Sequence, residues 1–71
     1  MTDTNLLEQA IKKKGLKKCY IAERLGISRS SLINLIRNRA EFKASQIQTL
    51  SDLLELTEDQ RNAIFFAVNG G

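Results

Sequence analysis

The chain has 71 residues and a formal net charge of +3, so it forms one small domain whose hydrophobic core is modest. It contains no His and no Pro, and its single Cys19 excludes an intrachain disulfide and a thiol-based metal cluster. The sequence has no glycine-rich phosphate loop and no pair of carboxylates suited to acid and base chemistry, which argues against an enzyme. We therefore expect no enzymatic activity, no cofactor and no small-molecule ligand.

The apolar segments are all far shorter than the roughly 20 residues that cross a bilayer. Residues 1–5 carry neither the basic start nor the apolar run of a signal peptide. A lone thiol suits a reducing compartment. We expect a cytoplasmic protein that does not enter a membrane, and we expect Cys19 to be a packing residue rather than a redox switch.

All predicted elements are helices, because no apolar and polar alternation of period two is long enough for a strand. A first helix spans about residues 5–14, and Gly15 ends it because glycine enters the left-handed region without steric cost. A second helix spans about residues 18–25 and ends in the same way at Gly26. The residues of these two helices that are predicted to face inward are Leu7, Ala10, Ile11, Ile21, Ala22 and Leu25.

The third predicted helix has a signal at each end. Ser28 is a good N-cap, and Asn38 is of the non-glycine type that best tolerates the left-handed conformation after a helix. The helix therefore runs from about residue 28 to residue 37, with Leu32 and Leu35 on its inward face.

A fourth helix is predicted to start between residues 43 and 45. Thr57 and Gln60 then form a capping-box pair that opens a fifth helix. The residues of these two helices that are predicted to face inward are Ile47, Leu50, Ser51, Leu54, Ile64, Phe65 and Val68.

The charges are segregated along the chain. Residues 12–43 contain ten basic and two acidic residues, a net charge of +8, whereas the rest of the chain carries a net charge of −5. A one-sided window of this length is typical of a protein that binds a polyanion, because each neutralised phosphate releases counterions. A lysine-rich solvated surface and an acidic membrane as partner remain alternative explanations of the charge taken alone.

Two helices can cross closely only where a small residue lets their backbones approach, and the chain can turn sharply between them only where a glycine supplies the required φ. The segment that connects the second and third helices has both. Ala22, Gly26, Leu32 and Leu35 meet these needs at a spacing that resembles the helix-turn-helix of phage repressors, Cro proteins and their bacterial relatives. The stretch 21–37, IAERLGISRSSLINLIR, carries most of the resemblance.

The resemblance implies an all-α, five-helix, lambda-repressor-like domain over residues 1–71, with the helix-turn-helix at about residues 18–37. It implies a transcriptional regulator, a repressor or Cro-like protein, that binds double-stranded DNA sequence-specifically in the cytoplasm of a bacterium or of a phage-infected host. The residues that depart from the family pattern are Lys17 and Lys18 in place of a polar cap and Gln, Ile36 in place of a polar residue, and Asn38 in place of Gly.

By this resemblance the N-terminal part of the third helix enters the major groove, where its base-reading residues are Arg29, Ser30, Ile33 and Asn34. The guanidinium fork of Arg29 matches guanine N7 and O6, the Asn34 amide matches adenine N6 and N7, and Ile33 reaches a thymine methyl. A phosphate contact or a free surface position is the alternative for Arg29. Phosphate contacts are predicted from the N–H groups at the starts of helices two and four, and from the side chains of Lys18, Ser31, Arg37, Asn38, Arg39 and Lys43.

Phe66 does not fit the inward stripe of the fifth helix, and we expect it to belong to a weak homodimer that pairs on DNA. A protein-interaction module, such as an antitoxin-like partner with the same fold, is the alternative function. A binding assay against duplex DNA separates the two.

Overall fold

The computed structural model describes residues 1–66. It contains five helices, which are α1 (Thr4–Lys14), α2 (Lys18–Leu25), α3 (Arg29–Ile36), α4 (Ala44–Leu54) and α5 (Glu58–Phe65). No strand occurs among residues 1–66, so the predicted all-α class is confirmed. Val68, predicted as a core residue, lies outside the described residues.

The helix ends follow from the residues predicted to set them. Gly15 and Gly26 both adopt the left-handed conformation, with φ of 71° and 72°, immediately after α1 and α2. Ser28 caps α3 by accepting a hydrogen bond from the Ser31 N–H at 3.0 Å. The third helix is one residue shorter at each end than predicted, because residues 28 and 37 are its caps.

The capping box at α5 is formed in both directions. The Gln60 N–H donates to the Thr57 hydroxyl at 3.1 Å, and the Gln60 side-chain oxygen accepts from the Thr57 N–H at 2.9 Å. Two of the four otherwise unsatisfied N–H groups at the start of this helix therefore have side-chain partners.

One core joins all five helices, and most of its members were predicted from helical spacing. Ile36 is among its most deeply buried residues, so the apolar side chain in place of a polar one adds packing. Phe42, between α3 and α4, packs edge-to-face on Phe65 with ring centroids 5.3 Å apart. The buried members of the core are Leu7, Ile11, Ile21, Ala22, Leu32, Ile36, Leu50, Leu54, Ile64 and Phe65.

The segment before α1 is tied to the end of α3. The Thr2 N–H donates to Asn38 Oδ1 at 2.9 Å, and Asn38 Nδ2 donates back to the Thr2 carbonyl at 2.7 Å. The Thr4 hydroxyl donates to the Ile36 carbonyl at 2.6 Å. The Asp3 N–H donates to the Ile64 carbonyl at 2.6 Å. This N-terminal segment therefore connects the end of α3 to α5.

The prediction that Cys19 is a packing residue is wrong, because Cys19 is exposed. The helix geometry gives the reason. At 100° per residue, Cys19 lies roughly 110° around α2 from the mean direction of Ile21, Ala22 and Leu25, which face the core.

Candidate nucleic-acid interface

The sharp turn between α2 and α3 sets the angle at which α3 is presented. The Ile27 N–H bonds back to the Ala22 carbonyl at 3.0 Å, and the Gly26 N–H bonds to the Glu23 carbonyl at 3.1 Å. These bonds satisfy carbonyls at the end of α2, and the left-handed Gly26 reverses the chain. The Ile27 side chain packs against the core. The turn is therefore fixed both by backbone hydrogen bonds to α2 and by this apolar contact.

Helix α3 presents one polar face outward. Leu32, Leu35 and Ile36 are buried on its inner side. Ser30 and Asn34 lie on the opposite side of the helix. Of the four predicted base-reading residues, three are exposed and one is half-buried; they are Arg29, Ser30, Ile33 and Asn34. The half-buried residue is Ile33, so part of its side chain already packs within the protein.

Basic side chains surround a cleft beside the N-terminal end of α3. This α1–α2 cleft is lined by Lys12 from α1, Lys17 and Lys18 at the start of α2, and Arg29, the first residue of α3. The structure thus brings a predicted phosphate contact, Lys18, and a predicted base reader, Arg29, to the same cleft. The cleft also contains Glu8, whose carboxylate lies 3.0 Å from Lys18 Nζ through one oxygen and 3.2 Å through the other.

A second group of basic residues follows the C-terminal end of α3. Arg37 caps the helix, Arg39 lies in the loop that follows, and Lys43 is the N-cap of α4. All three are exposed. The predicted base-reading face therefore has cations beyond each of its ends.

The starts of α2 and α4 differ from those of the other helices in their caps. Asp3, Ser28 and Thr57 supply side-chain oxygens to the first turns of α1, α3 and α5. Lysines occupy the same position in α2 and α4, and a lysine has no lone pair with which to accept a hydrogen bond. The first-turn N–H groups of α2 and α4, which are the two predicted to meet phosphates, therefore have no side-chain acceptor from the N-cap residue. At the start of α4 the Lys43 N–H itself donates to the Gln46 side-chain oxygen at 2.8 Å.

Two other predicted phosphate contacts are engaged within the protein. Asn38 uses Oδ1 and one Nδ2 hydrogen on the Thr2 backbone, so only its second Nδ2 hydrogen is left for a phosphate. The Ser31 hydroxyl accepts from the Ser28 hydroxyl at 3.0 Å and keeps its own hydrogen for a further acceptor. Both phosphate contacts stay predictions. For Asn38, the Thr2 backbone competes with a phosphate for the side-chain amide.

A family model described as helix-turn-helix matches residues 7–60, which covers most of α1, all of α2 to α4, the start of α5 and the turn described above. The chain belongs to the helix-turn-helix family, of the Cro and Xre-like type. This helix-turn-helix protein is therefore a DNA-binding regulator whose partner is double-stranded DNA, in a family that is generally non-enzymatic. No curated protein and no solved structure matches it. Within residues 1–66, no helix combines the length and the apolar character required to cross a membrane.

Three residues of importance to this helix-turn-helix protein were not found from its sequence. Glu8 enters the basic cleft, Thr2 anchors Asn38, and Phe42 covers Phe65. Each acts through a partner at least ten positions away, so helical spacing carries no signal for it. For Phe42 there was one indication, since a large aromatic residue amid a polar loop is usually buried.

Proposed function

We propose that this helix-turn-helix protein is a sequence-specific transcriptional regulator, a repressor or Cro-like protein, that reads the major groove of duplex DNA with α3 in the cytoplasm. The observation that carries the proposal is the outward polar face of α3, bounded by basic side chains at both ends. Family membership supports binding to duplex DNA. The polar face of α3 and the basic residues beyond its ends support α3 as the helix that contacts the bases.

The dimensions of α3 suit a single major groove. A helix with its side chains is about 10–12 Å in diameter, and the major groove is about 12 Å wide. When the N-terminal part of α3 enters the groove, one phosphate backbone lies on each side of it. Lys18 then meets one backbone, and Arg39 and Lys43 meet the other.

Each base-reading residue has a distinct task. Arg29 projects from the first turn of α3, where its guanidinium fork pairs with guanine N7 and O6. Asn34 pairs with adenine N6 and N7, and Ser30 donates to or accepts from a base edge. Ile33 contributes the exposed part of its side chain to a thymine methyl. These contacts determine which sequence is preferred.

The phosphate contacts hold this orientation without reading sequence. The first-turn N–H groups of α2 and α4, to which the N-cap lysines supply no acceptor, bind phosphate oxygens together with the positive ends of the helix dipoles. The side chains that supply further phosphate contacts are Lys18, Ser31, Arg37, Arg39 and Lys43.

Pairing of two copies on DNA completes the proposal. Phe66 is 55% exposed at the end of α5, which supports a contact of this side chain with a second copy. Most other apolar residues of α5 are used in the core, so the interface is small and the free protein is a monomer or weak dimer. The bound site then consists of two related half-sites about one helical turn apart.

Selection of bound duplexes from a random pool, followed by footprinting, tests this function. We expect enrichment of one paired site with related halves. A protein that retains its helical content yet enriches no sequence would contradict sequence-specific regulation and favour the interaction module. Enrichment of a single asymmetric half-site at one-to-one stoichiometry would contradict the pairing and the role of Phe66.

A further inference from the structure

Glu8 is an anion in a cleft whose other charged side chains are cations. The α1–α2 cleft presents Lys12, Lys17, Lys18 and Arg29, and Glu8 is the one acidic residue that lines it in the described part of the chain. Both Glu8 carboxylate oxygens lie within 3.2 Å of Lys18 Nζ. A carboxylate held in this way resembles a phosphate diester in charge and in the oxygens that it offers to an ammonium group.

The Glu8–Lys18 pair is open to solvent, with 44% of the Glu8 side chain and 33% of the Lys18 side chain exposed. Exposed ion pairs of this kind are weak, because water screens the charges and each side chain loses freedom on pairing. A DNA phosphate that reaches Lys18 can therefore displace Glu8 from it.

We propose that Glu8 competes with the DNA backbone for Lys18 and lowers the sequence-independent part of duplex affinity. This inference rests on the proposed function, in which Lys18 meets a phosphate. In the free protein the Lys18 charge is partly offset by Glu8. A phosphate that displaces Glu8 leaves that carboxylate unpaired beside the DNA, so Lys18 contributes little to net counterion release. Every duplex presents the same phosphates, so Glu8 weakens preferred and random sequences to the same degree.

Glu8→Gln removes the charge while it retains the size of the side chain and its preference for helix. In Glu8→Gln, Lys18 is free to neutralise one further phosphate, and the slope of log affinity against log salt becomes steeper by about 0.9. At about 0.1 M salt, this slope corresponds to an affinity increase of about 5- to 10-fold. We expect this increase on the selected duplex and on random duplex alike.

The matched control is Glu23→Gln, which removes the same charge from α2, the helix that carries Lys18. Glu23 is exposed and does not line the cleft. Its removal changes the overall charge by the same amount without releasing Lys18 from an ion pair. We expect less than about a twofold effect, because water and salt screen an exposed charge.

The decisive experiment measures duplex affinity against salt for the wild type, Glu8→Gln, Lys18→Gln and the double variant, each with its helical content and melting temperature checked. We expect Lys18→Gln to cost less than threefold in the wild type and about 5- to 10-fold in the Glu8→Gln protein. Equal costs in the two backgrounds, or a Glu8→Gln effect no larger than that of Glu23→Gln, would overturn the inference alone. Lower affinity of Glu8→Gln would also overturn it, because Glu8 would then orient Lys18 rather than compete for it. Failure of all four folded proteins to bind duplex would overturn the proposed function itself.

Discussion

Asn38 combines a left-handed backbone with two hydrogen bonds to the N-terminal segment, and its replacement tests whether this contact holds the end of α3. Its φ is 61°, and its side-chain amide bonds the Thr2 N–H and carbonyl at 2.9 Å and 2.7 Å. Thr2 is 8% exposed whereas Asn38 is exposed, so water can reach these bonds from the Asn38 side only.

The expected destabilisation differs between two replacements. Asn38→Ala loses two hydrogen bonds worth about 1 kcal/mol each. It also places an alanine in the left-handed region, which costs about 1 kcal/mol more. The total is about 3 kcal/mol. Asn38→Gly loses the same bonds but avoids the backbone strain, so it costs about 2 kcal/mol.

Thermal and urea unfolding followed by circular dichroism measure these differences. One kcal/mol corresponds to about 4–8 °C in the melting temperature of a domain of this size. The order of stability is therefore wild type, then Asn38→Gly, then Asn38→Ala. A loss below about 0.5 kcal/mol in both variants would refute the reasoning. Equal losses would refute the contribution of backbone strain.

The same Asn38→Gly protein also tests the predicted phosphate contact of Asn38. Because Oδ1 and one of the two Nδ2 hydrogens are engaged by Thr2 in the free protein, we expect duplex affinity to change less than about twofold at a temperature where both proteins are folded. A larger loss, equal on preferred and random duplexes, would show that Asn38 contacts phosphate on binding.

Three further predictions concern stability and are checked by urea unfolding. Gly26→Ala costs about 1–2 kcal/mol. The cause is conformational, because φ is 72° and no atom lies within 4 Å of the added Cβ; an unchanged midpoint would contradict it. Ser51→Ala stabilises the fold by about 1 kcal/mol, since the Ser51 hydroxyl is buried without a hydrogen-bond partner; a loss of stability would reveal a bond that this hydroxyl makes. Glu55→Gly stabilises the end of α4 by about 1 kcal/mol, because Glu55 has a φ of 53°. This gain exceeds the weak exposed ion pair that Glu55 makes with Lys14, and a net loss would show that the ion pair is the stronger effect.

The parts of the fold that could be predicted from the sequence depend on neighbours along the chain. Gly15 and Gly26 end helices because of their own backbone freedom, and Ser28 caps α3 through a residue three positions away. The core positions of α4 follow from the helical repeat in the same way.

The parts that could not be predicted depend on pairs that are distant along the chain. Thr2 and Asn38 are 36 positions apart, and Glu8 and Lys18 lie on different helices. The sequence alone predicts that Lys18 carries an unpaired positive charge. In the structure the Glu8 carboxylate pairs with it. Cys19 differs for another reason: cysteine is usually buried, but position 19 lies on the outer side of α2.

The central claim is that α3 reads bases while the residues beyond its ends bind phosphate. The most direct measurement compares Arg29→Ala and Asn34→Ala with Arg39→Ala and Lys43→Ala, by titration against the selected duplex, its single-base variants and random duplex at several salt concentrations. We expect Arg29→Ala and Asn34→Ala each to cost about 1–3 kcal/mol on the selected duplex and to relax preference at one base pair. Arg39→Ala and Lys43→Ala should weaken all duplexes nearly equally and reduce the salt slope by about one unit each. Binding that remains sequence-selective without Arg29 and Asn34 would contradict the account, because α3 would then not be the reading helix.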